Sequence, residues 1–469
     1  MKRFGHTLIS WEMLPIILTL AWPTMLEQLM QTAVQYVDTA MVGVLGTHAT
    51  AAVGATTTLS WLITGTLSAL GIGFLSWIAR AFGSEDQELA RRIAAQSIPV
   101  TLLAGVLFTI LPLALTPAVP FLMQVDPAIR ELTAIYFFIL YVPTLPRTAT
   151  IIFGTVLRAA GDSKTPMQVG LMVNVINVVL NFVLIYPTRI VRLGSAAFTL
   201  PGAGLGVAGA AMASSVAITV GGVVITLALW RHPTISPRGM KLRPDPEILR
   251  PCLHIALPNM FQRFTTSMGY VAFASMINAL GEISSAAHTI ANTVESAFYI
   301  PGYGMQAAAS TLAGNALGTR SKQQMGDLTR TILVIEVLLM LVSGGLLFWF
   351  APDMVALFSD DPQVIALGTT VLRMVAVSEP FFGIAIILEG ILYGIGDTAS
   401  PFLYNTIGMW GIRIVGTFLC TRLFGMGLIS AWLCMILHNL ALAVSYLFCC
   451  LHGKNSLFNL SWDSDSPKK

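Results

Sequence analysis

Twelve apolar stretches, most of about twenty residues or more, run through this sequence, separated by short polar or Gly/Pro-rich breaks. A helix needs about twenty apolar residues to cross a bilayer, and in lipid every backbone N–H and C=O must be satisfied within the segment. The stretches lie near 14–44, 51–79, 93–115, 131–157, 167–187 and 203–230, then near 253–280, 285–313, 330–351, 364–393, 401–421 and 426–451. Only 10% of the residues are charged against 55% hydrophobic, too little charge to cover a water-soluble exterior. The lipid bilayer is therefore the expected partner of most of the surface. The stretch at 14–44 exceeds the apolar region of a cleaved signal, about 7–15 residues, and reads as the first span. Kinks are expected at Pro23, Pro143, Pro146, Pro258, Pro301 and Pro380. Cys252, Cys420, Cys434, Cys449 and Cys450 form no CxxC pair and read as small buried hydrophobes.

Charge position sets the expected orientation. With a cytoplasmic N-terminus, the inside segments hold eighteen Lys and Arg residues and the outside loops only four, Arg130, Arg189, Arg192 and Arg422. That asymmetry follows the positive-inside rule. Both termini are then cytoplasmic, and a multi-pass protein of the plasma (inner) membrane is expected. The basic stretches act as topological markers, so no nucleic-acid partner is expected.

The two halves repeat each other. At a shift of 235 residues, Pro23 falls on Pro258, Gly46 on Gly281, Gly83 on Gly318, Asp126-Pro127 on Asp361-Pro362 and Gly161-Asp162 on Gly396-Asp397. The register then changes to 223, so the first half carries twelve extra residues in its fifth loop. Six spans per half place both halves in the same orientation, related by an axis along the membrane normal, with a substrate site between them. The expected fold is an all-α membrane protein of twelve transmembrane helices in two pseudo-symmetric six-helix lobes. The division is an N-terminal lobe 1–230, a basic cytoplasmic linker 231–250, a C-terminal lobe 251–453 and a cytoplasmic tail 454–469.

Several pieces, in this order and spacing, resemble the multidrug and toxic compound extrusion (MATE) family. They are Pro23 followed by Val37-Asp38-Thr39-Ala40-Met41-Val42-Gly43, Arg80-Ala81-Phe82-Gly83 running into Glu88-Leu89-Ala90-Arg91, and Leu157-Arg158-Ala159-Ala160-Gly161-Asp162. The second half adds Leu312-Ala313-Gly314-Asn315-Ala316-Leu317-Gly318 and Gly394-Ile395-Gly396-Asp397-Thr398. The resemblance implies a drug exporter in which entry of a cation, Na+ or H+, drives an organic compound outward by alternating access of two lobes. It implies small-molecule substrates and no cofactor beyond the coupling ion; the chain is expected to be a monomer.

Ionisable residues inside spans are costly, so each asks for a reason. Asp38 sits six residues before Val44, near the outer end of the first span, and Asn177 and Asn181 lie one turn apart on the fifth. An anionic oxygen near amide oxygens is what sodium coordination or a proton-accepting pocket needs; an interhelical hydrogen bond that locks the lobe is the other reading. In the resemblance, Asp38 matches the first-span acidic residue tied to cation coupling, so that the coupling ion, Na+ or H+, is expected at Asp38, Asn177 and Asn181. The residue matching Asp38 in the second half is Phe273, so this site belongs to the first half alone.

The second half departs from one family pattern. Where sodium-driven relatives often carry a glutamate in the seventh span, this chain has Thr265-Thr266 after Arg263, and the aspartate expected in the tenth span is missing. Glu379 and Glu389, ten residues apart and about 80° apart around the helix, and Glu295 across from them form a candidate substrate cavity for cationic compounds. Tyr36, Phe273, Tyr299 and Phe382 would supply aromatic faces to such a compound. His288, Arg263 and Arg413 complete the candidate cavity or pair with its carboxylates instead. Glu336, Arg373 and His438 read as structural pairs or snorkelling groups. No HExxH, GxSxG, P-loop or DDxxD pattern occurs, which argues against an enzyme and an ATP-driven pump. The alternative function is a flippase for a lipid-linked precursor, to which Arg147, Arg263 and Arg413 would suit an arginine-lined cavity.

Overall fold

In the computed structural model, residues 9–123, 125–193 and 196–452 are described. Lys2, Arg3 and the tail from Lys454 lie outside them. The first half forms six helical legs: α1 (Met13–Gly43), α2 (Thr47–Gly83), α3 (Gln87–Leu115), a composite fourth leg, and two more. A short α4 (Val119–Leu122) and a 3₁₀ turn (Pro127–Ile129) lead into that fourth leg, α5 (Arg130–Tyr141) and α6 (Thr144–Ala159). The two parts meet at 50°, where Pro143 has no N–H to continue the ladder. Next come α7 (Lys164–Leu184) and α8 (Gly206–Arg231).

The second half repeats the plan with α9 (Pro246–Asn278), α10 (Glu282–Gly318), α11 (Lys322–Ala356) and α12 (Pro362–Ile395). Its eleventh leg is composite: α13 (Ala399–Ile407), a π-helical stretch (Gly408–Ile414), α14 (Val415–Phe418) and a second π-helical stretch (Leu419–Leu423). The last leg is α15 (Leu428–His452). Eight of these helices are long and apolar enough to cross a bilayer, or nine when the bent pair counts as one span. α9 and α10 fall short on composition, and the eleventh leg is broken into pieces. Pro23, Pro258, Pro301 and Pro380 lie inside α1, α9, α10 and α12, none of which is interrupted there.

The twelve extra residues of the fifth loop belong to an antiparallel hairpin, β1 (Pro187–Leu193) with β2 (Ala196–Ala203). A loop was expected there. Thr188, Ile190, Val191 and Thr199 are the β-branched residues that favour strand.

Turns at equivalent positions share their geometry. Gly46 and Gly281 open α2 and α10 with φ of 106° and 108°, a region only glycine enters freely. Glu85 and Arg320, 235 residues apart, are the two non-glycine residues with positive φ among those described. Asp126 accepts from the N–H of Ala128 and Asp361 from that of Gln363, each at 2.8 Å.

The lobes meet through their first two helices. α1 packs on α10, α9 packs on α2, and α2 packs on α10. Met13, Ile17 and Ala21 of α1 are buried in the core that α10, α11, α12 and α15 build. The equivalent Ile248, Cys252 and Ala256 of α9 are buried in the core of the first lobe. A Cβ on Gly83 would run into the carbonyl of Asn315, and one on Gly318 into that of Arg80. Arg80 and Asn315 are themselves equivalent, so the reciprocity is that of a two-fold axis passing between α2 and α10. Polar contacts between lobes gather in the half of the bundle where α1 begins. Thr24 donates to Gly304 O at 2.8 Å, Ser76 to Gly394 O at 3.0 Å, and Thr311 to Arg158 O at 3.3 Å. Nearer the far end of α1, Tyr36 donates to Thr293 O at 3.1 Å.

Candidate functional site

In the last turns of α1, Met41 and Val42 face into the first lobe, and Asp38, one turn earlier, shares that face. α7 brings Asn177 and Asn181 to the same point, both buried. Asn181 Nδ2 donates to Asp38 Oδ1 at 2.6 Å. With its amide nitrogen turned to the carboxylate, Asn177 donates to the same oxygen at 2.8 Å while its own oxygen accepts from Ser214 Oγ at 2.9 Å. Ser214 sits on α8, so three helices of one lobe hold one carboxylate. The structure thus brings Asp38, Asn177 and Asn181 together and adds Ser214, which sequence reasoning missed.

The amides do not turn towards the carboxylate the oxygens that would ligate a sodium ion there. They present N–H groups, which stabilise the anion. One oxygen remains over: Asn181 Oδ1 is buried without a partner. The carboxylate and that oxygen are the groups available to a small cation, and among the described residues no three His, Cys, Asp or Glu side chains form a metal cluster.

The second-half candidates separate into two layers. Glu389 accepts from Gln262 Nε2 at 2.7 Å and from Gln306 Nε2 at 2.8 Å, and Tyr393 donates to Gln262 Oε1 at 3.0 Å. Glu389 and Arg263 lie within electrostatic reach but not at ion-pair distance. Glu379 instead lies within reach of Glu295 and Glu336. Ten helical residues span about 15 Å, so the angular agreement between Glu379 and Glu389 did not make them neighbours. Both oxygens of Glu379 and both of Glu336 are buried without partners. Glu336, read as a structural pair or a snorkelling group, is buried and has no ion-pair partner among the described residues. Its carboxyl sits where a Cβ on Gly302 or Gly383 would come within 2.6 or 3.3 Å of Oε1.

Arg413 lies on the first π-helical stretch, its guanidinium 4.2 Å from the Phe273 ring centre and 5.0 Å from that of Tyr270. His288 meets Phe273 and Trp432 edge-on, and Tyr299 meets Phe382 in the same way. Tyr36 is exposed. His438, also read as a structural pair or a snorkelling group, is buried with both ring nitrogens unpartnered, whereas Arg373 donates to Phe348 O at 3.3 Å and lies over that residue's ring.

The MatE family model matches residues 23–183 and 258–419, one segment in each lobe. A probable multidrug resistance protein NorM from Thermotoga maritima is 26% identical over 412 residues, covering 87% of this chain and 86% of the relative. The crystal structure of MATE in complex with MaL6 superposes with a TM-score of 0.84 at 24% identity, over 92% of this chain and 94% of that one. A MOP superfamily transporter from Pyrococcus furiosus Vc1, for which reverse polarity of the binding pocket suggests a different function, gives 0.86 at 24% identity over 96% of each chain.

Proposed function

The chain belongs to the MatE family, and from that premise we propose that it exports organic, chiefly cationic, compounds in exchange for Na+ or H+. The observation that carries this reading is the double attachment of α1. Its Asp38 is held inside the first lobe by Asn177 and Asn181, while its Thr24 and Tyr36 reach α10 of the second. A cation that binds Asp38 changes the charge and hydrogen bonding at one end of the helix that joins the lobes. Such a change shifts the equilibrium between two lobe arrangements only by its difference in affinity for them. Alternating access follows as rocking of the lobes about the α2–α10 contact, with no ATP site required.

The second lobe supports a cationic substrate by its charge balance. Glu295, Glu336, Glu379 and Glu389 lie inside its spans with Arg263, Arg373 and Arg413, a small excess of carboxylates within the helices. A second reading, translocation of an anionic lipid-linked precursor, draws on Arg413, which stacks on aromatic rings and has no carboxylate at ion-pair distance among the described residues. The termini and the basic linker face the cytoplasm in either reading, and the transporter sits in the inner membrane as a monomer. Uptake of a cationic dye into everted vesicles, under separately imposed Na+ and H+ gradients, is the test. Gradient-driven uptake is expected, with one of the two ions sufficient. Uptake of an anionic dye alone would favour the second reading, and no gradient dependence would remove the first.

A further inference from the structure

The helices of the first lobe hold Glu27, Asp38 and Arg147 along their length and Arg158 in the last turn of α6, and two of these four form a pair. Arg158 Nη2 donates to Glu27 Oε1 at 2.7 Å and to Oε2 at 2.6 Å. The other two are Asp38 and Arg147, and neither has an ion pair among the described residues. Arg147 stands at the break between α5 and α6, where its Nη2 donates to Leu140 O at 3.3 Å and its guanidinium lies 5.4 Å from the Tyr141 ring centre. Its Nε is buried without a partner. An unpaired guanidinium inside a span is costly, and one carbonyl with one ring leaves most of its five donors unused.

Tyr136 connects the two. It packs against the cluster containing Met41 and Val42, one turn beyond Asp38 on α1, and also against the cluster containing Phe137 and Tyr141. Asp38 and Arg147 both lie within electrostatic reach of its hydroxyl. The titratable groups around Arg147 are therefore Tyr136 and Tyr141 on α5 and, beyond Tyr136, Asp38 on α1.

We propose that Arg147 is a built-in counter-cation for Asp38, a positioning residue that competes with the coupling ion for the carboxylate. The inference rests on Asp38 being the coupling site. When the ion leaves, the lobe holds one unneutralised carboxylate and one unneutralised guanidinium on either side of Tyr136. Swinging the guanidinium towards Asp38 then replaces the lost cation. When an ion returns, Arg147 goes back to Leu140 and Tyr141 at the helix break. The competition sets ion affinity low enough for release and ties ion occupancy to the bend of the fourth leg.

The test uses the purified full-length transporter in detergent, with NaCl exchanged for choline chloride at fixed ionic strength and, separately, with pH varied without sodium. The thermal-unfolding midpoint is followed against Na+ concentration and against pH. In Arg147→Gln the stabilising ion should act at a concentration at least about fivefold lower than in wild type. Arg147→Met, which keeps an apolar stem at the break, should behave alike and serves if the glutamine variant misfolds. Arg147→Lys keeps the charge and should stay near wild type. Asp38→Asn and Asp38→Asn/Arg147→Gln should both be flat. Wild-type ion dependence in both neutralised variants would overturn the proposal and leave Arg147 as a tie at the helix break. Ion dependence that survives Asp38→Asn would instead overturn the reading of Asp38 as the coupling site.

Discussion

Asn181 donates its amide N–H to Asp38 Oδ1 across 2.6 Å, a bond that spans 143 residues of sequence and joins α7 to α1. Asp38→Asn is nearly isosteric and removes the charge while keeping the helices in place. Export against a gradient should fall to the level of vesicles without the transporter at matched membrane expression, while substrate binding survives. Asn181→Ala leaves the carboxylate with the Asn177 donor alone and should lower stability by about 1.5–3 kcal/mol, the usual worth of a hydrogen bond to a charged group. Wild-type concentrative export by Asp38→Asn would make Asp38 a structural residue.

The Arg158–Glu27 pair joins α6 to α1 with each side chain about one-fifth exposed (19% and 21%). Partial solvent screening weakens such a pair relative to a fully buried one. Glu27→Gln and Arg158→Gln should each destabilise by about 1–3 kcal/mol, and the double variant by clearly less than the sum. Additive losses in thermal unfolding would show that the two side chains act independently.

Much of this arrangement was legible in the sequence, for reasons specific to residues. The 235-residue register places Met13, Ile17 and Ala21 opposite Ile248, Cys252 and Ala256, and those are the residues each first helix buries in the other lobe. Asp38 and Asn181 each lie six residues from an expected outer span end, so equal depth could be inferred before their contact was seen. Ser214 was not legible, because a serine in a helix of alanines carries no depth signal of its own. Nor was the split between Glu379 and Glu389, where an angular argument omitted the rise along the helix. The π-helical stretches around Arg413 had no cue in apolar periodicity, since π-helix depends on packing rather than composition.

That split separates the expected effects of the glutamates. Glu295→Gln and Glu379→Gln should weaken export of cations more than of neutral compounds, because neither oxygen of Glu379 has a partner to lose. Glu389→Leu should act on folding instead: it strips an acceptor from Gln262 and Gln306, leaving Gln262 Nε2 a buried donor at about 1–3 kcal/mol, while Gln306 Nε2 keeps the carbonyl of Ile386. Vesicle transport of paired cationic and neutral dyes, alongside unfolding midpoints, separates the outcomes. Equal losses for both dye classes in the first two variants would assign Glu295 and Glu379 to structure.

His232 follows the last turn of α8, where its Nδ1 accepts from the N–H groups of Thr234 and Ile235, each at 3.3 Å. Burial lowers its pKa from the ordinary 6.5, and Asp162 nearby only partly opposes this. A base whose folded pKa is depressed stabilises the fold above its unfolded value, and that contribution is lost as pH falls below about 6.5. His232→Gln keeps an acceptor and should flatten the fall of the unfolding midpoint between about pH 7 and pH 5. An unchanged slope would mean the linker's acid sensitivity resides in other groups.

Gly83 and Gly318 give the most direct access to the conformational cycle. Each lies against the backbone of the other lobe, so a side chain on either must push α2 and α10 apart. Those helices close the half of the bundle in which Ser76 and Thr311 also donate across the lobe boundary. Overpacking of this kind costs about 1–3 kcal/mol, and the cost falls only on arrangements that bring the two helices together. Gly83→Ala and Gly318→Ala should therefore raise the population open on that side by about five- to a hundredfold while leaving each lobe's own core intact. The two variants should match in size, because the axis makes the positions equivalent. A cysteine at Ser76, in a background lacking the five native cysteines, reports the opening through its rate of labelling by an impermeant thiol reagent. Faster labelling with a similar gain in both alanine variants is expected. Labelling unchanged in both, with transport intact, would show that the lobes do not part along this contact.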